Sequence, residues 1–202
     1  MLLRAPTAGL FGALAWVRRR HRALHPVGAA FEAEVDLGPT APEPLGPGRT
    51  VPGIARVSRG AGLPQPLPDV QGIALKLPSL HGPGRDQDLL FATAWARHLL
   101  RPVLRDDSVE LSTILPYALP GGEQLVFGLI PCGDGRYDLV SAPVGGRWRE
   151  PWGEVRLGRR LPQTVAEELR FHPYTSAPDL RPAGPLNALR VPAYRASQSV
   201  RR

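Results

Sequence analysis

The chain has 202 residues, 43% of them apolar, which allows one domain of ordinary size with a sizeable core and speaks against global disorder. Its net charge of +7 comes almost wholly from arginine, since Lys76 is the only lysine. Those arginines are scattered apart from Arg18, Arg19 and Arg20, and no aromatic residues interleave with them as base-stacking platforms, so no nucleic-acid partner is expected.

Residues 8–24 hold good helix formers and end in a basic turn, before Pro26 and Gly28 break the pattern. The apolar run at 10–17 is far shorter than the roughly 20 residues that a membrane span needs. Its positive charges follow it rather than precede it, so neither a span nor a secretory signal is expected. Ala30-Phe31-Glu32-Ala33-Glu34-Val35-Asp36-Leu37 alternates apolar and charged residues, the period of a strand with one wet face. The Pro/Gly-rich stretch 38–53 reads as loop. Further short strands are predicted at 54–58, 72–77, 88–94, 124–130, 137–142, 152–157 and 168–171, with a turn-rich hairpin connection at 131–136. After Pro192 the chain reads as helix. The expected organisation is an N-terminal helical segment over 1–20 and one domain over 21–202. Many short strands with few helices between them suggest an antiparallel barrel or sandwich. Cys132 is the single cysteine, so no internal disulfide can form, which fits a reducing cytoplasm.

Several routes to chemistry are missing. The five histidines form no HExxH pair, no cysteine pair is available for zinc, and neither GxxxxGK[ST] nor GxSxG occurs.

Four segments, in order, resemble the catalase family. The first is Arg22-Ala23-Leu24-His25-Pro26-Val27-Gly28, similar to the family's Arg-x-x-His-x-x-Gly. The second is Arg56-Val57-Ser58, similar to Arg-Phe-Ser. The third runs from Asp69 through Gly72 to Lys76 and Leu77, and Asp88-Leu89-Leu90 follows it. The fourth is Arg190-Val191-Pro192-Ala193-Tyr194, with Arg201 seven residues on. The resemblance implies an α+β fold built on a catalase-like antiparallel β-barrel with a C-terminal helix, carrying haem b. Tyr194 would be the iron ligand, His25 the distal acid–base group, and Ser58 the residue that orients its imidazole. Arg22, Arg56 and Arg201 match the propionate-binding positions, and the C-terminal helix becomes the haem-proximal one. Residues 95–167 match only as generic strands.

The chemistry of the residues agrees with those roles. A phenol has a pKa of about 10, so a tyrosine must lose its proton to bind ferric iron. Iron drives most of that loss, and a nearby guanidinium adds to it. Positions 190, 194 and 201 share one face of a continuous helix, although Pro192 must then lie at its start or at a bend. Arginine suits propionates through paired hydrogen bonds. Competing placements exist. Arg170, Tyr174 and Arg181 repeat the spacing, but Pro173, Pro178 and Pro182 forbid a helix there. His21 rivals His25 but lies within the basic run. Cys132 at a hairpin tip is a poor thiolate ligand. His81, His98 and His172 read as surface or loop residues.

Two departures matter. Ala92 stands where the family has a distal Asn, and Gln71 where it has Arg. The expected activity is therefore haem-dependent peroxidase chemistry on hydrogen peroxide or an organic hydroperoxide, with an unidentified electron donor. A non-enzymatic haem-binding or sensing protein, and a fatty-acid hydroperoxide isomerase or dehydratase, are the alternatives. A homo-oligomer is compatible with all three.

Overall fold

In a computed structural model of the chain, the described residues are 28–184 other than 61, 64–65 and 105–107. Eleven strands follow in order: β1 (Gly28–Leu37), β2 (Arg49–Arg59), β3 (Gln71–Leu77), β4 (Gln87–Trp95), β5 (Leu99–Leu100), β6 (Leu111–Ser112), β7 (Tyr117–Ala118), β8 (Gln124–Gly133), β9 (Arg136–Pro143), β10 (Gly153–Arg160) and β11 (Arg181–Pro182). One short helix, α1 (Gln163–Glu168), lies between β10 and β11.

All pairings are antiparallel. The order β1-β2-β3-β4-β6-β8-β9-β10 returns to β1, so eight strands close into a barrel. Strand β5 pairs with β4, while β7 and β11 extend the sheet beside the start of β8. The barrel has two rims. β1 begins, β2 ends, β3 begins and β4 ends at the first, and β1 ends and β8 begins at the second.

The period-two pattern of β1 decides which face points inward. Ala33, Val35 and Leu37 are buried, and Glu32 and Glu34, which alternate with them, are exposed. The matching faces of the other strands contribute Ala55, Leu75, Leu77, Leu89, Leu129, Leu139 and Val155 to a single core. Phe127 is fully buried at its centre, stacked on Tyr117 at 5.3 Å and edge-on to Trp152 at 5.7 Å.

The expected strands are found, with two corrections. Residues 49–53 belong to β2 rather than to a loop. Pro52 is tolerated because pairing of β2 with β3 starts only at Ile54, so β2 has a neighbour on one side there. Residues 168–171 form no strand. Pro162 opens α1, whose Gln, Ala and Glu residues favour helix, and the chain after it stays irregular. The hairpin connection is a two-residue turn, Asp134-Gly135, with φ of 51° and 71°, the arrangement that matches strand twist. Among the described residues the fold is thus a β-barrel with one short α-helix. The segments expected to be helical, 1–20 and the region after Pro192, lie outside the described residues.

Removing the central ring tests this core. Phe127→Ala should cost about 3–5 kcal/mol in urea unfolding, whereas Leu99→Ala at an exposed position should stay within about 0.5 kcal/mol.

Candidate functional site

The register aligns residues of the resembling segments on the outer wall. Gly28 pairs with Ser58, Ser58 with Gly72, Gly72 with Ala92, Ala92 with Ser112 and Ser112 with Gly128. One cross-strand row therefore carries only small side chains over six strands. The next row is Ala30, Arg56, Ala74 and Leu90. Arg56 and Ser58 are buried although they face away from the core.

Gly28 explains part of that burial. A Cβ on it would lie 2.9 Å from the guanidinium carbon of Arg56 and 2.8 Å from Ser58 Cβ, closer than packed carbons come. The absent side chain lets the guanidinium lie against the first residue of β1. At the other end of the row, Trp148 roofs Gly128, where an added Cβ would come within 2.6 Å of its ring. Trp148 Nε1 donates to Glu110 at 2.9 Å, and the Arg97 guanidinium stands 4.9 Å over its ring. Ser112 donates to the Arg97 carbonyl at 2.7 Å. A buried guanidinium beside a row of small side chains suits a ligand that carries carboxylates.

A second cluster joins segments far apart in sequence. Lys76 Nζ lies 2.7 Å from Asp88 Oδ1 and 3.4 Å from Asp86 Oδ2, and 5.8 Å over the ring of Phe171. The backbone N–H of His172 donates to Asp88 Oδ2 at 2.7 Å. Burial pushes the Asp88 carboxyl above the usual carboxylate range, opposed by the ammonium and the His172 N–H. Partial burial pushes the His172 imidazole below its ordinary value, opposed by Asp88. Asp69 is also buried. It accepts from the N–H groups of Leu63 and Val70 and exchanges two backbone hydrogen bonds of 2.9 Å with Val103. It orders the β2–β3 connection.

Of the predicted site residues, Arg56 and Ser58 are described and share one face, in adjacent rows. Arg22, His25, Arg190, Tyr194 and Arg201 lie outside the described residues. The repeated set Arg170, Tyr174 and Arg181 does not form a helix, as the prolines dictate. Sequence reasoning left His172 and His98 as surface or loop residues, and both stand outside the strands and the helix. His172 nevertheless borders a buried carboxylate, and His98 Nδ1 bonds the Ile114 carbonyl at 3.0 Å while its Nε2 is buried. The neighbouring sequence signals neither, because the partners Asp88 and Ile114 are 84 and 16 residues away. Among the described residues no three His, Cys, Asp or Glu side chains gather as a metal site. Comparison with known proteins finds no matching family profile and no matching curated relative.

Two measurements probe the buried cluster. Lys76→Met strands the Asp88 carboxylate and should cost about 3–5 kcal/mol, with Lys76→Met/Asp88→Asn recovering much of the loss in the same denaturant titration. The lowered His172 value means that the unfolded chain binds more protons there just below pH ~6.5. Its contribution is therefore present above that pH and lost as pH falls through the window beneath it. His172→Gln should flatten that part of the stability–pH curve, and an unchanged slope would remove His172 as its source.

Proposed function

We propose that the outer wall around Arg56 and Ser58 holds haem b and that the protein reduces hydrogen peroxide or an organic hydroperoxide at the expense of an electron donor. The observation that carries this reading is the row of small residues from Gly28 to Gly128, beside a buried arginine. Supporting it, Lys76 and Asp88, both from stretches that resemble catalases, meet in one cluster.

Haem, when bound, supplies the iron redox chemistry that cleaves a peroxide O–O bond. The chain's own residues do the rest. Arg56, with Arg22 and Arg201, neutralises the propionates. Tyr194 binds the iron as phenolate, and Arg190 favours its ionised form by opposite charge. His25 takes a proton from one peroxide oxygen and delivers it to the other, a service worth roughly 10²–10⁴-fold in rate. Ser58 orients that imidazole by a hydrogen bond. Two electrons from the donor and two protons complete the reduction to water, or to an alcohol and water.

Ala92 separates peroxidase from catalase behaviour within this reading. A methyl offers no hydrogen bond to a second peroxide, and small misplacements can cost about 10²-fold in rate. Weak oxygen release alongside clear oxidation of a dye is therefore expected, with Ala92→Asn raising the ratio of oxygen release to dye oxidation.

The decisive experiment is an absorption spectrum of protein purified from haem-supplemented cells. Tyr194→Phe should abolish the phenolate-ligated ferric spectrum, and Tyr174→Phe should leave it. Gly28→Ala, which displaces Arg56, should weaken haem binding by about tenfold or more, the worth of one charge-assisted pair. A full native spectrum in Tyr194→Phe would overturn the ligand assignment. Haem without turnover would identify a binding or sensing protein. Rearranged hydroperoxide without a reductant would identify an isomerase or dehydratase.

A further inference from the structure

We propose that the mouth of the barrel at the second rim binds a small uncharged carbonyl compound. A cavity of about 450 Å³ opens there. Its lining includes Thr40 and Pro42 from the β1–β2 connection, Leu119 and Leu125 around the start of β8, Ser141 on β9, and Trp152 just ahead of β10. That volume suits a small ligand, and barrel mouths are a usual place for one. Two polar groups stand in an otherwise apolar interior. Ser141 pairs with Phe127, so its side chain shares the inward face of that ring. It is buried beside Phe127 and Leu139. Trp152 is fixed by its backbone on both sides. Its N–H donates to the Leu139 carbonyl at 2.8 Å, and its carbonyl accepts from the Gly38 N–H at 2.9 Å. The indole Nε1 of this 3% exposed residue is buried and has no hydrogen-bond partner. A buried donor left unpaired is costly, so a ligand oxygen that accepts from it is favoured.

The donors and the charge select the ligand. An indole N–H can only donate, and a serine hydroxyl can donate as well. A carbonyl oxygen has two lone pairs and no proton, so it can accept from both. Pro42, Leu119 and Leu125 offer apolar surface to the body that carries it. An anion is disfavoured. Arg149 Nη2 lies 2.7 Å from Glu123 Oε1, so the guanidinium is already neutralised, and the exposed Glu150 lines the same mouth. Two carboxylates against one guanidinium leave the entrance negative. The entrance is also held in shape. The Arg149–Glu123 pair straps the β9–β10 connection to the β7–β8 connection. The Arg149 N–H donates to the Ser141 carbonyl at 2.8 Å, and the Leu119 N–H to the Glu123 carbonyl at 2.8 Å. A preformed entrance loses little on ordering when a ligand arrives. This mouth lies at the rim opposite Gly28 and Ser58, so it is separate from the wall around Arg56.

The test needs no haem, so it stands apart from the peroxide reading. Nitrogen-15-labelled full-length protein is titrated with cyclohexanone, and the indole N–H resonances are followed by NMR. The chain has four tryptophans, which serve as one another's controls. The Trp152 indole resonance, assigned by through-bond correlation, should move downfield and saturate with a Kd of roughly 1–10 mM, the range open to a ligand of this size. The Trp95 and Trp148 resonances should stay in place. Ser141→Ala should weaken binding by about threefold to tenfold, the worth of one hydrogen bond. Ser141→Leu, which fills the mouth, should abolish it. Cyclohexanecarboxylate, of the same shape but anionic, should bind more weakly than cyclohexanone. Unfolding midpoints near the parent's establish that the variants are folded, and Ser141→Ala with the two probes decides the matter if Ser141→Leu does not fold. A Trp152 resonance that never saturates with cyclohexanone overturns the proposal and leaves the mouth to water. Parent-like binding by Ser141→Ala overturns the two-donor site. Tighter binding of the carboxylate overturns the choice of an uncharged ligand.

Discussion

Strand β8 bonds β6 and β7 along one edge and β9 along the other, and that double engagement turns the sheet into a ring. A ring has no open edge along which strands can slide. A slip of one residue would move every core side chain to the outside. The register is therefore held by the whole apolar interior at once, and the outer wall inherits its order. Ser58, Gly72, Ala92 and Ser112 stand in line because Ala55, Leu75, Leu89 and Leu129 must point inward. The wall that the proposed function uses is a by-product of how the core packs.

Much of the barrel was legible because half-buried strands write their own pattern. Glu32 and Glu34 alternating with Ala33 and Val35 announce β1, and Asp134-Gly135 announces the β8–β9 turn. The start of β2 was hidden by Pro52, which normally marks a break. Only the pairing partners reveal that its missing N–H can fall on an open side. Helix α1 is six residues long and too short to show a period. The Asp88 cluster was hidden for another reason. Its backbone donor, His172, is 84 residues away, and no local rule links a carboxylate to a partner at that distance. The candidate site was legible at Arg56 and Ser58 as residue types, but not as buried groups beside a glycine.

The resembling residues divide by what they do here. Asp69 ties a loop, Gly72 belongs to the small outer row, and Lys76 with Asp88 fastens β3 and β4 to the chain after α1. A buried carboxylate is costly unless it is paired and hydrogen-bonded, so a fold that uses one must keep its partners. Within the described barrel the resemblance therefore speaks mostly of architecture. The residues assigned to proton transfer and iron binding, His25 and Tyr194, belong to the segments that flank it.

Those flanking segments leave the barrel at opposite rims. The chain enters at Gly28 beside the end of β2. It exits after β11, which pairs with β7 next to the start of β8, and Ala183 donates to the Pro116 carbonyl there. Ten-residue strands tilted as in other barrels separate the rims by about 25 Å. A circular permutant that sutures Gly184 to Gly28 must then carry a tether of about eight extended residues along the outer wall. Such a tether crosses the wet face of β1 and β10 harmlessly, but laid across the β2–β4 side it would cover Ser58 and Ala92.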